Sequence, residues 1–203
     1  MPRSHPLAGM LAEIRACSAC AADLPLGPRP VLQASQQARL MICGQAPGTK
    51  VHLSGKPYDD RSGDRLRQWL GIGPDIFYDP QRIAIVPMGF CYPGRDLRGG
   101  DLPPRRECAS LWHTRLFSLL SAVELTLVIG QYAMAWHLGA RRKATLTETV
   151  RAWREYLPAH IPLPHPSWRN TGWLKRNPWF EAECVPVLQA EVRRRVASPQ
   201  SSG

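Results

Sequence analysis

Arg39-Leu40-Met41-Ile42-Cys43 runs directly into Gly44-Gln45-Ala46-Pro47-Gly48, an apolar run set against a bend rich in glycine and proline. The run has no polar face. That is the pattern of a strand covered on both sides, as in a parallel sheet with helices above and below. Three other runs repeat it. Ile83-Ala84-Ile85-Val86 stops at Pro87, Leu125-Thr126-Leu127-Val128-Ile129 stops at Gly130, and Ile161-Pro162-Leu163 stops at Pro164 and His165. Helical spacings lie between them. Ser62 is expected to cap a short helix carrying Leu66, Trp69 and Leu70, with Gly71 as its stop. Leu7, Leu11 and Ile14 share one face near the N-terminus, as do Trp112, Leu116 and Leu119. The same holds for Leu146, Val150, Trp153 and Leu157, and for Val185, Leu188, Val192 and Val196. Strands alternating with helices imply an α/β fold, a three-layer α/β/α sandwich around a central four-stranded, mainly parallel sheet. In such a fold the functional site belongs at the carboxyl ends of the strands.

The chain has 203 residues, of which 44% are hydrophobic, enough for one full core. Residues 1–196 are expected to form a single domain, and the small, polar stretch 197–203 to be a disordered tail. No apolar run reaches the roughly 18 to 20 residues of a membrane span, and no signal-peptide core follows the basic N-terminus. The expectation is a soluble, cytoplasmic monomer. Lys and Arg outnumber Asp and Glu by 26 to 16, a net charge of +10. That balance favours a polyanionic partner, of which nucleic acid is the commonest, and leaves open a basic protein without one.

Two strand-end loops carry the chemistry. In Gly44-Gln45-Ala46-Pro47-Gly48 the glycines allow close backbone approach to a ligand, and exposed N–H groups in such a bend can hold an anion or a base edge. In His165-Pro166-Ser167-Trp168-Arg169-Asn170 a histidine stands between two prolines, placed to donate to an oxygen that gains charge. Alone, the first could equally be a tight strand-to-helix turn, and the second a surface loop that happens to carry a histidine. Of the 6 cysteines, Cys17 and Cys20 form a C-x-x-C pair and Cys91 and Cys108 a wider one. Spaced cysteines in a cytosolic chain read as metal ligands before disulfides. Cys43, within a strand, and Cys184, within a helix, are expected to be buried packing residues.

Together the loops at 44–48 and 165–167 resemble the two signature motifs of the uracil-DNA glycosylase superfamily. Gly55-Lys56-Pro57-Tyr58 is similar to the segment whose aromatic residue stacks on the extruded base. The cysteine set resembles that of the iron–sulfur, family 4-like branch, where four thiolates hold a [4Fe–4S] cluster. Carried over, the resemblance implies a monofunctional DNA-repair glycosylase acting on uracil, or another deaminated base, in DNA. His165 would be the donor to the leaving base and Gln45 the water-positioning group. Gly44, Ala46, Pro47, Gly48, Tyr58, Pro87, Met88, Gly89 and Asn170 would bind the base. Ser167, Trp168, Arg169, Lys175 and Arg176 would contact DNA, with Trp168 and Arg169 at the wedge position. Cys17, Cys20, Cys91 and Cys108 would hold the cluster, with a four-cysteine zinc site, or four unrelated cysteines, as the alternatives.

The sequence departs from the family pattern in two places. Gln45 stands where members carry a carboxylate, and an amide can orient water but cannot take its proton. Asp59, Asp60 and Asp64 are candidate substitutes or solvated loop carboxylates. Pro87 stands where the iron–sulfur members carry an asparagine that reads uracil, so base choice passes to backbone groups at 87–89 or to Asn170. These departures suggest a second reading, a catalytically weak or inactive DNA-binding homologue. A covalent trapping relative carries a histidine in the insert after the third cysteine, and Tyr92 to Glu107 contain none. Arg95, Arg98, Arg105 and Arg106 read as backbone contacts or as a solvated loop. Trp173, Trp179 and Phe180 read as core packing, and Arg193 to Arg195 as a solvated helix face.

Overall fold

The computed structural model describes residues 6–97 and 99–197. Arg98 and the end of the expected tail, 198–203, lie outside the described residues. Four strands, β1 (Leu40–Cys43), β2 (Ile83–Ile85), β3 (Leu125–Ile129) and β4 (His160–Leu163), form one sheet in the order β2-β1-β3-β4. Every pairing is parallel. All four apolar runs named from the sequence are strands, and the sheet is fully rather than mainly parallel.

Side-chain alternation divides the core between two faces. Leu40 and Ile42 of β1 and Ile83 and Ile85 of β2 pack with Leu66, Trp69 and Leu70 of the helix Arg61–Leu70. Leu188 and Val192 of the helix Val185–Val196 join the same face. Met41, Ala84 and Val86 point the other way, onto Leu7, Met10, Leu11 and Ile14 of the helix Pro6–Arg15. That completes the α/β/α sandwich. Cys43 and Cys184 are buried packing residues, as their settings suggested. Trp173, Trp179 and Phe180 meet edge to face against the core.

The structure corrects three local readings. The helix Arg61–Leu70 is capped by Asp60, whose Oδ1 accepts from the Gly63 N–H at 2.9 Å, not by Ser62. β3 stops before Gly130 as expected, and Gly130, with φ at 80°, turns the chain out of it and opens the helix Gly130–Leu138. The face read over Leu146 to Leu157 is a short helix, Leu146–Arg151, followed by a separate 3-10 turn, Trp153–Tyr156. Arg195 is buried rather than solvated, because helical spacing puts it on the face of Leu188 and Val192. It pairs there with Glu191 and, at 3.7 Å, with Glu124. Arg193 and Arg194 are exposed.

Imidazoles lie below the sheet edge. His113 is fully buried between Phe90 and Phe117, and its Nε2–H donates to the Pro87 carbonyl at 3.1 Å. His137 and His160 lie alongside each other, 6.0 Å between ring centres. Burial lowers all three pKa values, to about 4 for His113 and about 3 for His137, with Arg141 adding to the shift at His160. The folded state keeps these rings neutral where the unfolded chain protonates them near the ordinary 6.5. Their contribution to stability is therefore complete above pH 6.5 and is lost as pH falls from there toward 4. The urea midpoint is expected to fall between pH 7.5 and pH 5, and His113→Phe to flatten part of that slope. A midpoint independent of pH would contradict this.

Candidate active site

The loops after β1, β2 and β4 meet at the carboxyl edge of the sheet. The β2 loop is registered onto the β1 loop by backbone bonds that extend the ladder. Met88 N donates to Gly44 O and Gly89 N to Gln45 O, both at 2.9 Å. A cleft of about 490 Å³ opens above them. The bend 44–48, Tyr58, Pro87, His165 and Asn170 all line it. The two distant motifs and the aromatic residue thus share one site.

His165 is placed by its own loop. Its Nδ1 accepts from the backbone N–H of Ser167 at 3.2 Å, and Asn170 Nδ2 donates to its carbonyl at 2.7 Å. A ring nitrogen that accepts carries no proton, so the neutral ring bears its hydrogen on Nε2. Burial holds the pKa below the ordinary value, while Asp60 and Asp101 pull it upward. The result is a neutral donor in a place of low dielectric.

Tyr58 adopts the left-handed region at φ 54°, and its ring meets Phe77 edge to face. Two glycines make room for it. A Cβ on Gly44 would come 2.4 Å from the Tyr58 hydroxyl, and one on Gly63 would come 1.8 Å from the Tyr58 carbonyl oxygen. Burial pushes the phenol well above its ordinary range, so it stays protonated.

The other site residues divide. Gln45 lines the cleft, but its Nε2 donates to Leu102 O at 3.0 Å, tying the bend to the segment between Cys91 and Cys108. Met88 is buried against Cys43, and Gly89 lies against Pro104. Neither is among the cleft-lining residues, and both act on the site through the backbone bonds above. Ser167 and Trp168 line the cleft, as does Arg169. Ser167 O accepts from Arg65 at 2.9 Å, and Trp168 is exposed. Lys175 and Arg176 are exposed on the helix Thr171–Arg176, outside the cleft lining. Asp60 lines the cleft, whereas Asp64 is paired with Arg67 at 2.6 Å.

Sequence reading passed over Asp101, which lines the cleft from a hairpin at 95–101. The hairpin is closed by an Arg95–Asp101 bridge with an ion pair of 3.5 Å. Its one local signal was the Asp96 to Asp101 turn with Gly99-Gly100 inside it. Nothing in that spacing told which part of the molecule it would face. Arg105, read as a DNA contact or a solvated residue, is a strut paired with Asp23 and Glu107.

Cys17, Cys20, Cys91 and Cys108 are free thiols, and all but Cys17 are buried. Burial raises the thiol pKa of Cys20, Cys91 and Cys108, that of Cys108 to about 12. Each of these three also feels the charge of Cys17. Cys20 and Cys91 pack together with Leu24. Among the described residues no three side chains are arranged to hold a metal ion.

A parallel α/β sandwich with a half-buried neutral imidazole across from a glycine-rich bend, both at the carboxyl edge, defines a class of cleft-bearing α/β proteins. Residues 32–189 match the Uracil DNA glycosylase superfamily, and the chain belongs to that superfamily. One solved structure to which it is similar is the solution NMR structure of a candidate uracil DNA glycosylase from Methanosarcina acetivorans. The two are 14% identical at a TM-score of 0.48, over 80% of this chain and 98% of that one. No helix among the described residues is long and apolar enough to cross a membrane.

Proposed function

We propose that the protein is a monofunctional DNA glycosylase that extrudes uracil, or another deaminated base, from DNA and hydrolyses its N-glycosidic bond. The single observation that carries this reading is the Nε2–H of a neutral, half-buried His165 inside the cleft shared with Tyr58 and the bend 44–48. In the reaction the C1′–N bond breaks and its electron pair leaves on the base, water adds its oxygen to C1′ and loses a proton to solvent, and the departing base anion takes up a proton from solvent, so that the net reaction is hydrolysis. His165 donates to the base oxygen that gains charge. Tyr58 walls the ring, and the carboxylates of Asp60 and Asp101 offset the positive charge developing on the sugar. Gln45, with its amide hydrogen engaged by Leu102, positions water through its oxygen at most. That supports a reaction driven by leaving-group stabilisation.

Incubation with oligonucleotides bearing uracil, xanthine or hypoxanthine, followed by alkali, tests the reading. Strand breaks on one of them are expected. Retarded but unbroken DNA would favour the inactive binding homologue, for which the absence of a carboxylate from the bend 44–48 is the supporting observation.

The donor set Cys17, Cys20, Cys91 and Cys108 suits a [4Fe–4S] cluster better than hard cations, since sulfur is its only donor type. When bound, such a cluster would tie the segment after the helix Pro6–Arg15 to both ends of the stretch from Cys91 to Cys108. Purified protein is expected to be brown, with about four irons per chain. Cys108→Ser is expected to lose most of the iron and the visible absorbance. A colourless preparation holding stoichiometric zinc would overturn the cluster.

A further inference from the structure

Base extrusion leaves a hole in a duplex, and the superfamily's wedge position, here Trp168, accounts for one side chain to fill it. The rim of the cleft carries a second. Leu97 stands at the tip of the hairpin 95–101 with a relative exposure of 108%, against 70% for Trp168. Among the described residues these are the two most exposed large apolar side chains. An exposed leucine alone means little. This one is held out by a well-bonded turn. Asp96 N donates to Gly100 O at 2.8 Å, Gly99 N to Asp96 O at 2.9 Å, and Gly100 N to Asp96 Oδ1 at 2.8 Å.

The two tips are coupled. Arg169 Nη2 donates to Gly99 O at 2.6 Å, and its guanidinium lies 5.6 Å from the centre of the Trp168 ring. One arginine thus spaces the hairpin from the loop after β4. Lys50, Arg61 and Arg169 line the cleft beside them, along with Arg95, which is paired with Asp101, and Asp60. Two apolar points beside basic side chains suit a partner that offers phosphates outside and an apolar stack within. A protein surface would call for a broader apolar patch than two separated tips. Apolar wedges such as leucine are the side chains that enter between base steps in DNA.

We propose that Leu97 is a second wedge, entering the duplex beside the gap that Trp168 fills, and that the preferred substrate is therefore double-stranded. The proposal rests on the glycosylase reading for its ligand, but its test does not need turnover. A single strand has no stack to close, so it offers Leu97 nothing.

The test is binding, by fluorescence anisotropy at fixed salt, of a duplex and a single strand of the same sequence bearing a tetrahydrofuran abasic analogue. The native protein is expected to bind the duplex more tightly. Leu97→Ala is expected to weaken duplex binding about tenfold, equivalent to ~1.4 kcal/mol, and single-strand binding less than twofold. Trp168→Ala should show the same selectivity. Leu97 is fully exposed, so the variant is expected to keep its fold, and the unfolding midpoint checks that. Unchanged duplex binding by Leu97→Ala, or equal losses on both probes, overturns the second wedge. Tight, selective binding with no strand breaks in the excision assay would instead sink the glycosylase reading and leave the wedge standing.

Discussion

His165→Ala is expected to reduce base excision about 100-fold or more, while binding to abasic duplex changes only a few-fold. The magnitude follows from what a single preorganised donor does for a developing oxyanion, which is ~3 kcal/mol or more. The ring's surroundings make it such a donor. Ser167 N–H fixes the tautomer, Asn170 fixes the backbone, and partial burial keeps the ring neutral. A neutral donor also predicts a pH profile. Because burial keeps the pKa below its ordinary value, excision should be flat from pH 7 to 8, with no loss as a cation deprotonates. An enzyme relying on imidazolium would instead lose activity over that range. Single-turnover rates with uracil duplex at saturating protein isolate the chemical step. A loss under about fivefold would show that His165 does not face the departing base.

Much of this site was legible because the residues that form it are consecutive. An apolar run ending in glycine or in proline and histidine announces a strand and its carboxyl-end loop together, so the bend 44–48 and the segment 165–170 could be placed in one cleft from sequence. The errors came where one residue type serves two structural purposes. Ser62 and Asp60 are both good caps, and the choice falls on Asp60 because the amide of Gly63 reaches it. Arg195 sits in a run of arginines, but the step from Val192 puts it on the buried face, where Glu191 and Glu124 meet it. The hairpin 95–101 was not legible as part of the site. Its contacts, Gln45 to Leu102 and Arg169 to Gly99, span long sequence distances and carry no periodic signal.

The largest stability effect is expected at a glycine beneath Tyr58. In a helix interior, glycine to alanine ordinarily gains about 1 kcal/mol. Gly9, in the helix Pro6–Arg15, should behave that way, since a Cβ there meets nothing within 4 Å. Gly63, in the helix Arg61–Leu70, should do the opposite. Its Cβ would stand 1.8 Å from the Tyr58 carbonyl oxygen and 2.8 Å from the carbonyl carbon. Those atoms are backbone, so no rotamer change relieves the overlap. Tyr58 is already in the left-handed region, which disfavours a bulky residue, and its carbonyl accepts from the Tyr78 hydroxyl at 3.3 Å. The helix and the Tyr58 segment must therefore separate, which breaks the Asp60 cap bond to Gly63. Overpacking of this kind costs roughly 1–3 kcal/mol or more, and the lost cap adds about 1 kcal/mol. Gly63→Ala is expected to lose about 3 kcal/mol while Gly9→Ala gains up to about 1, read as opposite shifts of the urea midpoint. Movement of Tyr58 should also lower excision in the fraction of Gly63→Ala that remains folded. Shifts of the same sign in the two variants would mean that the close approach of this helix to Tyr58 does not hold the cleft wall.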